Sequence, residues 1–248
     1  MKRFTLIELL VVVAIIGILV SILMPSLQKA RQKAKTAVCV SQNKQIAYSW
    51  QMYMDDNDGS GFDYLENNQI WTGHLKDYIV EDALLICPET SVVEESSNYI
   101  MGSAKSAWRE GRRSTQSPWN MGSYAYNINL HPFNSPYDYH GYITDYVTYK
   151  NQGEISRPYE TPVTGDAWWR AASRMSNSLM RLIPANLSDP SSGDVSGNSI
   201  NRFITNRHGK VTVMSFADGH AKSVSFVGVY RQQWFEDYDK DGAVVNPH

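Results

Sequence analysis

An α+β fold is predicted by three features of the chain. They are an uncharged apolar run at its start, a helical period that continues beyond it, and two β-type runs around an Asp-Gly pair near the end. From Leu9 to Leu27 no residue is charged. At about 1.5 Å of rise per helical residue, that run is long enough to cross a hydrocarbon core of roughly 30 Å. Glu8 is the one charge within the apolar stretch Phe4–Met24, and Pro25 follows directly. An acidic side chain near lipid is costly and usually functional, so Glu8 needs a partner.

The chain has 248 residues, 42% of them hydrophobic, and a formal net charge of −2, which suits one anchor and one domain with a real core. Phosphate binding normally leaves a strongly basic footprint, so the balance argues against nucleic acid as the main partner. Cys39 and Cys87 can form one disulfide if the head is exported or remain two thiols in the cytosol. A secretory signal peptide would suit Lys2 and Arg3, but its apolar region is shorter and ends at a small-residue cleavage site. Here the run is longer, carries Glu8 early and ends in Met24-Pro25. A plain signal anchor explains the length and leaves Glu8 unexplained.

Beyond Pro25 the helical period continues through Leu27, Ala30, Ala34, Ala37, Val38, Ser41, Gln45 and Tyr48, which are expected to form one narrow packing face. Lys29, Arg31, Lys33, Lys35 and Lys44 fall on the other, read as a solvated face with lipid headgroups as the alternative contact. Pro25 is expected to kink the helix by removing one hydrogen bond. Acidic groups are unfavourable at a helix C-terminus, so Asp55-Asp56-Asn57-Asp58-Gly59 should end it, with Gly59 as the cap.

The middle of the chain is short and broken in pattern. Tyr124, Tyr126, Phe133, Tyr137, Tyr139, Tyr142, Tyr146 and Tyr149 make residues 123–149 aromatic. A sugar-binding platform is one reading of this set; packing of a loop-rich domain is preferred. Residues 186–200 are a surface loop by composition. Val211–Ala217 and His220–Val227 flank Asp218-Gly219, the pattern of a hairpin with a two-residue turn.

The string Phe4-Thr5-Leu6-Ile7-Glu8-Leu9-Leu10-Val11-Val12 closely resembles the N-terminal cleavage and methylation segment of type IV prepilins and type II secretion pseudopilins. The resemblance implies a leader of residues 1–3, cleavage between Arg3 and Phe4 by a prepilin peptidase, and methylation of the new Phe4 amino group. It implies that Glu8 neutralises the N-terminus of a neighbouring subunit during assembly. In that family Gly usually precedes the cut, where this chain has Arg3. Residues 4–28 would be the transmembrane and assembly helix, 29–58 an amphipathic stalk extension, and 59–248 a soluble α+β head whose antiparallel sheet receives the stalk. Two basic residues before the span and four after it would leave the head in the cytoplasm on a naive charge count. The resemblance implies the opposite: a single-pass inner-membrane protein with its head in the periplasm or outside, later drawn into a filament.

Arg207-His208 through Asp218-Gly219-His220 is similar to the His, nine residues, Asp-Gly element of a large subgroup of prepilin-like proteins. Ile86-Cys87-Pro88 and Ser123-Tyr124-Ala125-Tyr126-Asn127 are further matches, and Thr164-Gly165-Asp166-Ala167 is a weaker one. In that subgroup a Cys after the stalk helix recurs with the Cys-Pro element, which implies a Cys39–Cys87 disulfide tying head to stalk. A metal or catalytic set of His208, Asp218 and His220 is one reading of these residues. The preferred reading gives Asp218 and Gly219 to the turn and His208 to a polar contact. Asp237, Asp239 and Asp241, followed by Gly242, resemble the first half of an EF-hand loop and are candidate Ca2+ ligands. His248 stands where the closing Glu is expected, so Glu236 or a backbone carbonyl would have to complete the shell; an acidic tail is the alternative.

No recognisable nucleophile elbow or triad accompanies these residues, so no enzyme is expected. The expected function is a structural subunit of a type II secretion pseudopilus or type IV pilus-like filament. Its partners would be copies of itself, other pilin-like subunits, the prepilin peptidase, an inner-membrane assembly platform and lipid. The alternatives are a membrane-tethered binding protein for glycan or a secreted substrate, and an anchored metal enzyme using His208 and Asp218.

Overall fold

The computed structural model describes residues 5–62, 70–92, 100–109, 121–130, 149, 151–172, 182–183, 199–234 and 244–245. It is an α+β protein, in which a 51-residue helix, α1 (Leu6–Asp56), runs from an apolar stalk into the head. Thr5 is its N-cap, and α1 runs through Pro25 without a break. Every large apolar side chain from Leu6 to Leu27 is exposed, and all residues from Thr5 to Ala34 lie outside the packed head. Burying a single Leu, Ile or Val side chain is worth about 1.5–3 kcal/mol, so this stalk in water would cost tens of kcal/mol. It is the one helix among the described residues long and apolar enough to cross a membrane.

The C-terminus of α1 closes as expected within the Asx-rich stretch, with one refinement. Asn57 is the C-cap, Asp58 takes the left-handed conformation at φ 53°, and Gly59 follows at φ 75°. The Gly59 N–H then donates to Met54 O at 2.7 Å, which satisfies a terminal carbonyl in the Schellman manner.

The face α1 buries differs from the expected one. Cys39, Asn43, Ile46, Ala47, Ser49, Trp50 and Met54 are buried. Leu27, Val38 and Tyr48 are about half exposed or more, and Ala30, Ala34, Ala37, Ser41 and Gln45 are also exposed. Ile46, Trp50 and Met54 supply the apolar area, while Asn43 and Ser49 complete the same face through hydrogen bonds to backbone and side chains.

The head has short strands β1 (Trp108–Arg109), β2 (Met121–Gly122), β3 (Tyr124–Asn127), β4 (Pro162–Asp166), β5 (Ala171–Ala172), β6 (Leu182–Ile183), β7 (Val211–Phe216), β8 (Ala221–Ser225) and β9 (Val244–Val245). Five form the main sheet in the order β5-β3-β4-β7-β8. Its pairs are antiparallel apart from the parallel edge pair β3–β5. The pairs β1–β2 and β6–β9 stand outside it. Short helices α2 (Trp71–His74) and α3 (Phe226–Val229) lie in the connections.

Alternation along the strands divides the core in two. Tyr124, Tyr126 and Val213 pack with Cys39, Ile46, Trp50 and Trp71 on the α1 side. Ala125, Met214 and Phe216 pack with Phe203, Phe226, Tyr230 and Trp234 on the other. The central strands β3 and β4 are consequently buried along their whole length.

The β7–β8 hairpin is present, with Val211 opposite Ser225 and Ser215 opposite Ala221. Its turn has three residues, where two were expected. Gly219 N–H donates to Phe216 O and Phe216 N–H donates to His220 O, both at 2.9 Å. Ala217, Asp218 and Gly219 thus form the loop, with Gly219 at φ 89° taking the left-handed place that ends such a turn.

Candidate functional site

The two ends of the candidate machinery are the start of α1 and the junction where α1 enters the head. At the start, Thr5 and Glu8 form a capping box. Glu8 Oε2 accepts from the Thr5 backbone N–H at 2.8 Å and from its hydroxyl at 2.7 Å, and Thr5 Oγ1 accepts from Glu8 N–H at 3.3 Å. The carboxylate therefore has a partner in its own chain. Thr5-x-x-Glu8 ahead of an apolar run is itself a sequence signature for this cap. Arg3 and Phe4, the expected cleavage and methylation residues, lie outside the described residues.

At the junction four buried side chains converge from four parts of the chain. Cys39 comes from the middle of α1, Cys87 from the turn after a 3-10 helix (Asp82–Leu85), Asp166 from the end of β4 and His208 from the loop before β7. Their ligand-type atoms all lie within 4.8 Å of one another. Cys39 Sγ is 3.3 Å from Cys87 Sγ and 3.5 Å from Asp166 Oδ1. His208 Nε2 is 3.4 Å from Cys87 Sγ and 3.2 Å from Asp166 Oδ2. The two cysteines named from sequence are thus neighbours, and both are free thiols in the structure.

The surroundings hold this group in place. Thr36 Oγ1 donates to Gln32 O at 3.0 Å, so it accepts from His208 Nδ1 at 3.1 Å, which fixes the other ring nitrogen toward the cluster. Val213 N–H donates to Asp166 Oδ2 at 3.0 Å, and Arg207 Nη1 lies 3.6 Å from Asp166 Oδ1. Tyr124 donates its hydroxyl to Gln42 Oε1 at 2.7 Å, with its oxygen 3.1 Å from Cys39 Sγ.

Electrostatics follow the geometry. Burial pushes the Cys39 thiol up, with Cys87 and Asp166 adding to the effect. The hydrogen bond from Cys39 brings Cys87 down to about 6 against the opposing effect of burial, helped by His208. Burial alone would lower His208, yet Asp166 and Cys87 outweigh it and raise it to about 10. Burial likewise opposes ionisation of Asp166, and His208 and Arg207 more than compensate, leaving it below the ordinary carboxylate value.

His208 is therefore not joined to Asp218 in a metal or catalytic set. Asp218 belongs to the turn, where its Oδ1 accepts from His220 N–H at 3.1 Å and meets His220 Nδ1 at 2.5 Å. Gly219 is required twice over, by its positive φ and because a Cβ there would lie 2.7 Å from Tyr48 Cε1 on α1. Gln51 Nε2 donates to Ala217 O at 2.8 Å, so the Asp-Gly turn is a dock for the stalk helix.

Asp166 and Thr36 are the residues sequence reasoning missed. The Thr164-Gly165-Asp166-Ala167 match carried a signal for Asp166; Thr36 had none. Among the aromatics, Tyr124, Tyr126 and Tyr149 are buried in the core. Phe133, Tyr137, Tyr139, Tyr142 and Tyr146 lie outside the described residues, as do Asp237, Asp239, Asp241, Glu236 and His248 of the candidate calcium loop.

No protein-family model matches the chain. No solved structure matches it either. A stretch of 56 residues is 45% identical to the type IV wide pilus major component PilA4 of Thermus thermophilus, covering 23% of this chain and 43% of that protein. The match thus spans less than half of that protein's length. Over that stretch the chain is similar to a type IV pilus component, and its bare apolar stalk carries an α+β head.

Proposed function

We propose that the chain is a non-enzymatic filament subunit, held in the membrane by the first half of α1 after synthesis and then packed stalk to stalk into a pilus or pseudopilus. The observation that carries this reading is the stalk itself. From Leu6 to Leu27 its apolar side chains face outward with nothing of the head against them. Such a surface is stable only against lipid or against other apolar helices. The similarity to a protein named as a pilus major component supports the second environment as the final one.

In this reading a prepilin peptidase removes residues 1–3, and the N-methylated Phe4 amino group of one subunit meets Glu8 of its neighbour. In a medium of low dielectric, an ammonium and a carboxylate at contact attract strongly and fix the register between stalks. The Thr5 cap holds the Glu8 carboxylate at the helix start before that partner arrives. Mass spectrometry of the protein isolated from sheared surface filaments tests both parts. The expected result is a chain beginning at N-methylated Phe4 within filaments. A chain retaining Met1 and confined to membranes would overturn the reading in favour of a signal-anchored protein.

A further inference from the structure

We propose that Cys39, Cys87, Asp166 and His208 form a structural metal site for a zinc-class divalent cation, which ties the stalk helix to the head. The four residues are widely separated in the sequence, yet each directs one ligand-type atom to a common centre, and all four are buried. A tetrahedron with Zn–S of about 2.3 Å, Zn–N of about 2.0 Å and Zn–O of about 2.0–2.2 Å has edges of about 3.8 Å between sulfurs and about 3.4–3.6 Å elsewhere. The contacts in the cluster are 3.3 Å for sulfur to sulfur, 3.5 Å for Cys39 to Asp166 Oδ1, 3.4 Å for Cys87 to His208 Nε2 and 3.2 Å for His208 Nε2 to Asp166 Oδ2, with all four groups within 4.8 Å of one another. A cation at the centre requires the sulfurs to part by about half an ångström and the groups not in direct contact, which lie within 4.8 Å, to draw in toward a tetrahedral edge.

The second layer of contacts is of the kind that orients metal ligands. His208 Nδ1 donates to Thr36, which leaves Nε2 pointing at a carboxylate and a sulfur. A cation would take the place of the Nε2 proton that otherwise bridges to these two electron-rich atoms. Arg207 meets Asp166 Oδ1, and His208 meets Oδ2. Charge closes as well: the two thiolates and the carboxylate are matched by the dication together with Arg207. Binding releases the remaining thiol protons and the His208 Nε2 proton to solvent, and the metal undergoes no redox change.

The donor set selects the class of cation. Two thiolates and an imidazole suit zinc and disfavour calcium or magnesium, which take oxygen ligands. A disulfide between Cys39 and Cys87 would use the sulfurs alone and leave Asp166 and His208 as an ion pair beside it.

The test uses the full chain purified in detergent under reducing, chelator-free conditions. Elemental analysis should find about one zinc per chain, and replacement by Co2+ should give the visible bands of tetrahedral cobalt with a sulfur-to-metal charge-transfer band. Chelation should lower the melting temperature, and added Zn2+ should restore it. C87S and H208Q should lose the metal; if either fails to fold, the cobalt spectrum of the unmodified chain still decides the matter. Failure to take up Zn2+ or Co2+, with an intact mass two hydrogens lighter, would assign the cysteines to a disulfide and overturn the proposal. Metal retained by a folded C39S/C87S double variant would place it elsewhere and do the same.

Discussion

Arg207 Nη1 lies 3.6 Å from Asp166 Oδ1 with both side chains wholly enclosed, and the same guanidinium gathers carbonyls from three other segments. It donates to Ser103 O at 2.9 Å, to Ala167 O at 2.7 Å and to Ser123 O. One side chain thereby ties the loop before β1, the start of β3 and the end of β4 to the residue beside His208.

Replacing it should be severe. R207M removes the charge facing Asp166 and leaves several carbonyls unpaired, a loss of about 3–5 kcal/mol. R207K should recover little, since a point charge cannot fork to several acceptors. Denaturant unfolding followed by tryptophan fluorescence would measure both.

Gly219 offers a cleaner dissection. G219A combines a left-handed backbone with a Cβ 2.7 Å from Tyr48 Cε1, and should cost about 1–3 kcal/mol. Adding Y48A should relieve the clash and leave the backbone part. A double-mutant cycle should therefore return a coupling above about 0.5 kcal/mol between the Asp-Gly turn and the stalk.

Glu8 has two roles that separate by mutation. T5A breaks the capping box and should cost about 1 kcal/mol of local helix stability while filaments still form. E8Q, which keeps the shape and removes the charge, should abolish them. Immunoblots of sheared filaments score the difference; equal loss in both variants would reduce Glu8 to a cap.

Truncation should leave the head intact. Head contacts begin at Lys35, whose Nζ meets Glu89 Oε2 at 3.4 Å, and at Thr36. A chain lacking residues 1–28 should melt within a few degrees of the detergent-solubilised full chain, because residues 5–28 are exposed and do not pack on the head. Differential scanning fluorimetry of the two would check this.

The stalk, the end of α1 and the β7–β8 hairpin were legible because each rests on local signals: hydropathy, Asx and glycine capping, and alternation around Asp-Gly. The buried face of α1 was not. Small residues at helical spacing suggested Ala30, Ala34 and Ala37, but the head docks where Ile46, Trp50 and Met54 recur every four residues, beside the polar Asn43. The third turn residue was hidden because Ala217 reads equally well as strand. At the junction, resemblance paired Cys39 with Cys87, while the joining of His208 to Asp166 depends on β4 lying beside β7, a long-range pairing that no local pattern encodes.

A helix of 51 residues extends about 75 Å and is gripped only over about its last two-fifths. It behaves as a cantilever. Tension along a filament would reach the head through the stretch from Thr36 to Met54, and would load side by side the contacts that stretch makes with β4, β7 and β8. Many contacts then share the load in shear, and none is peeled singly. A clamp at Cys39, close to where the free beam begins, stands where the first strain would arrive.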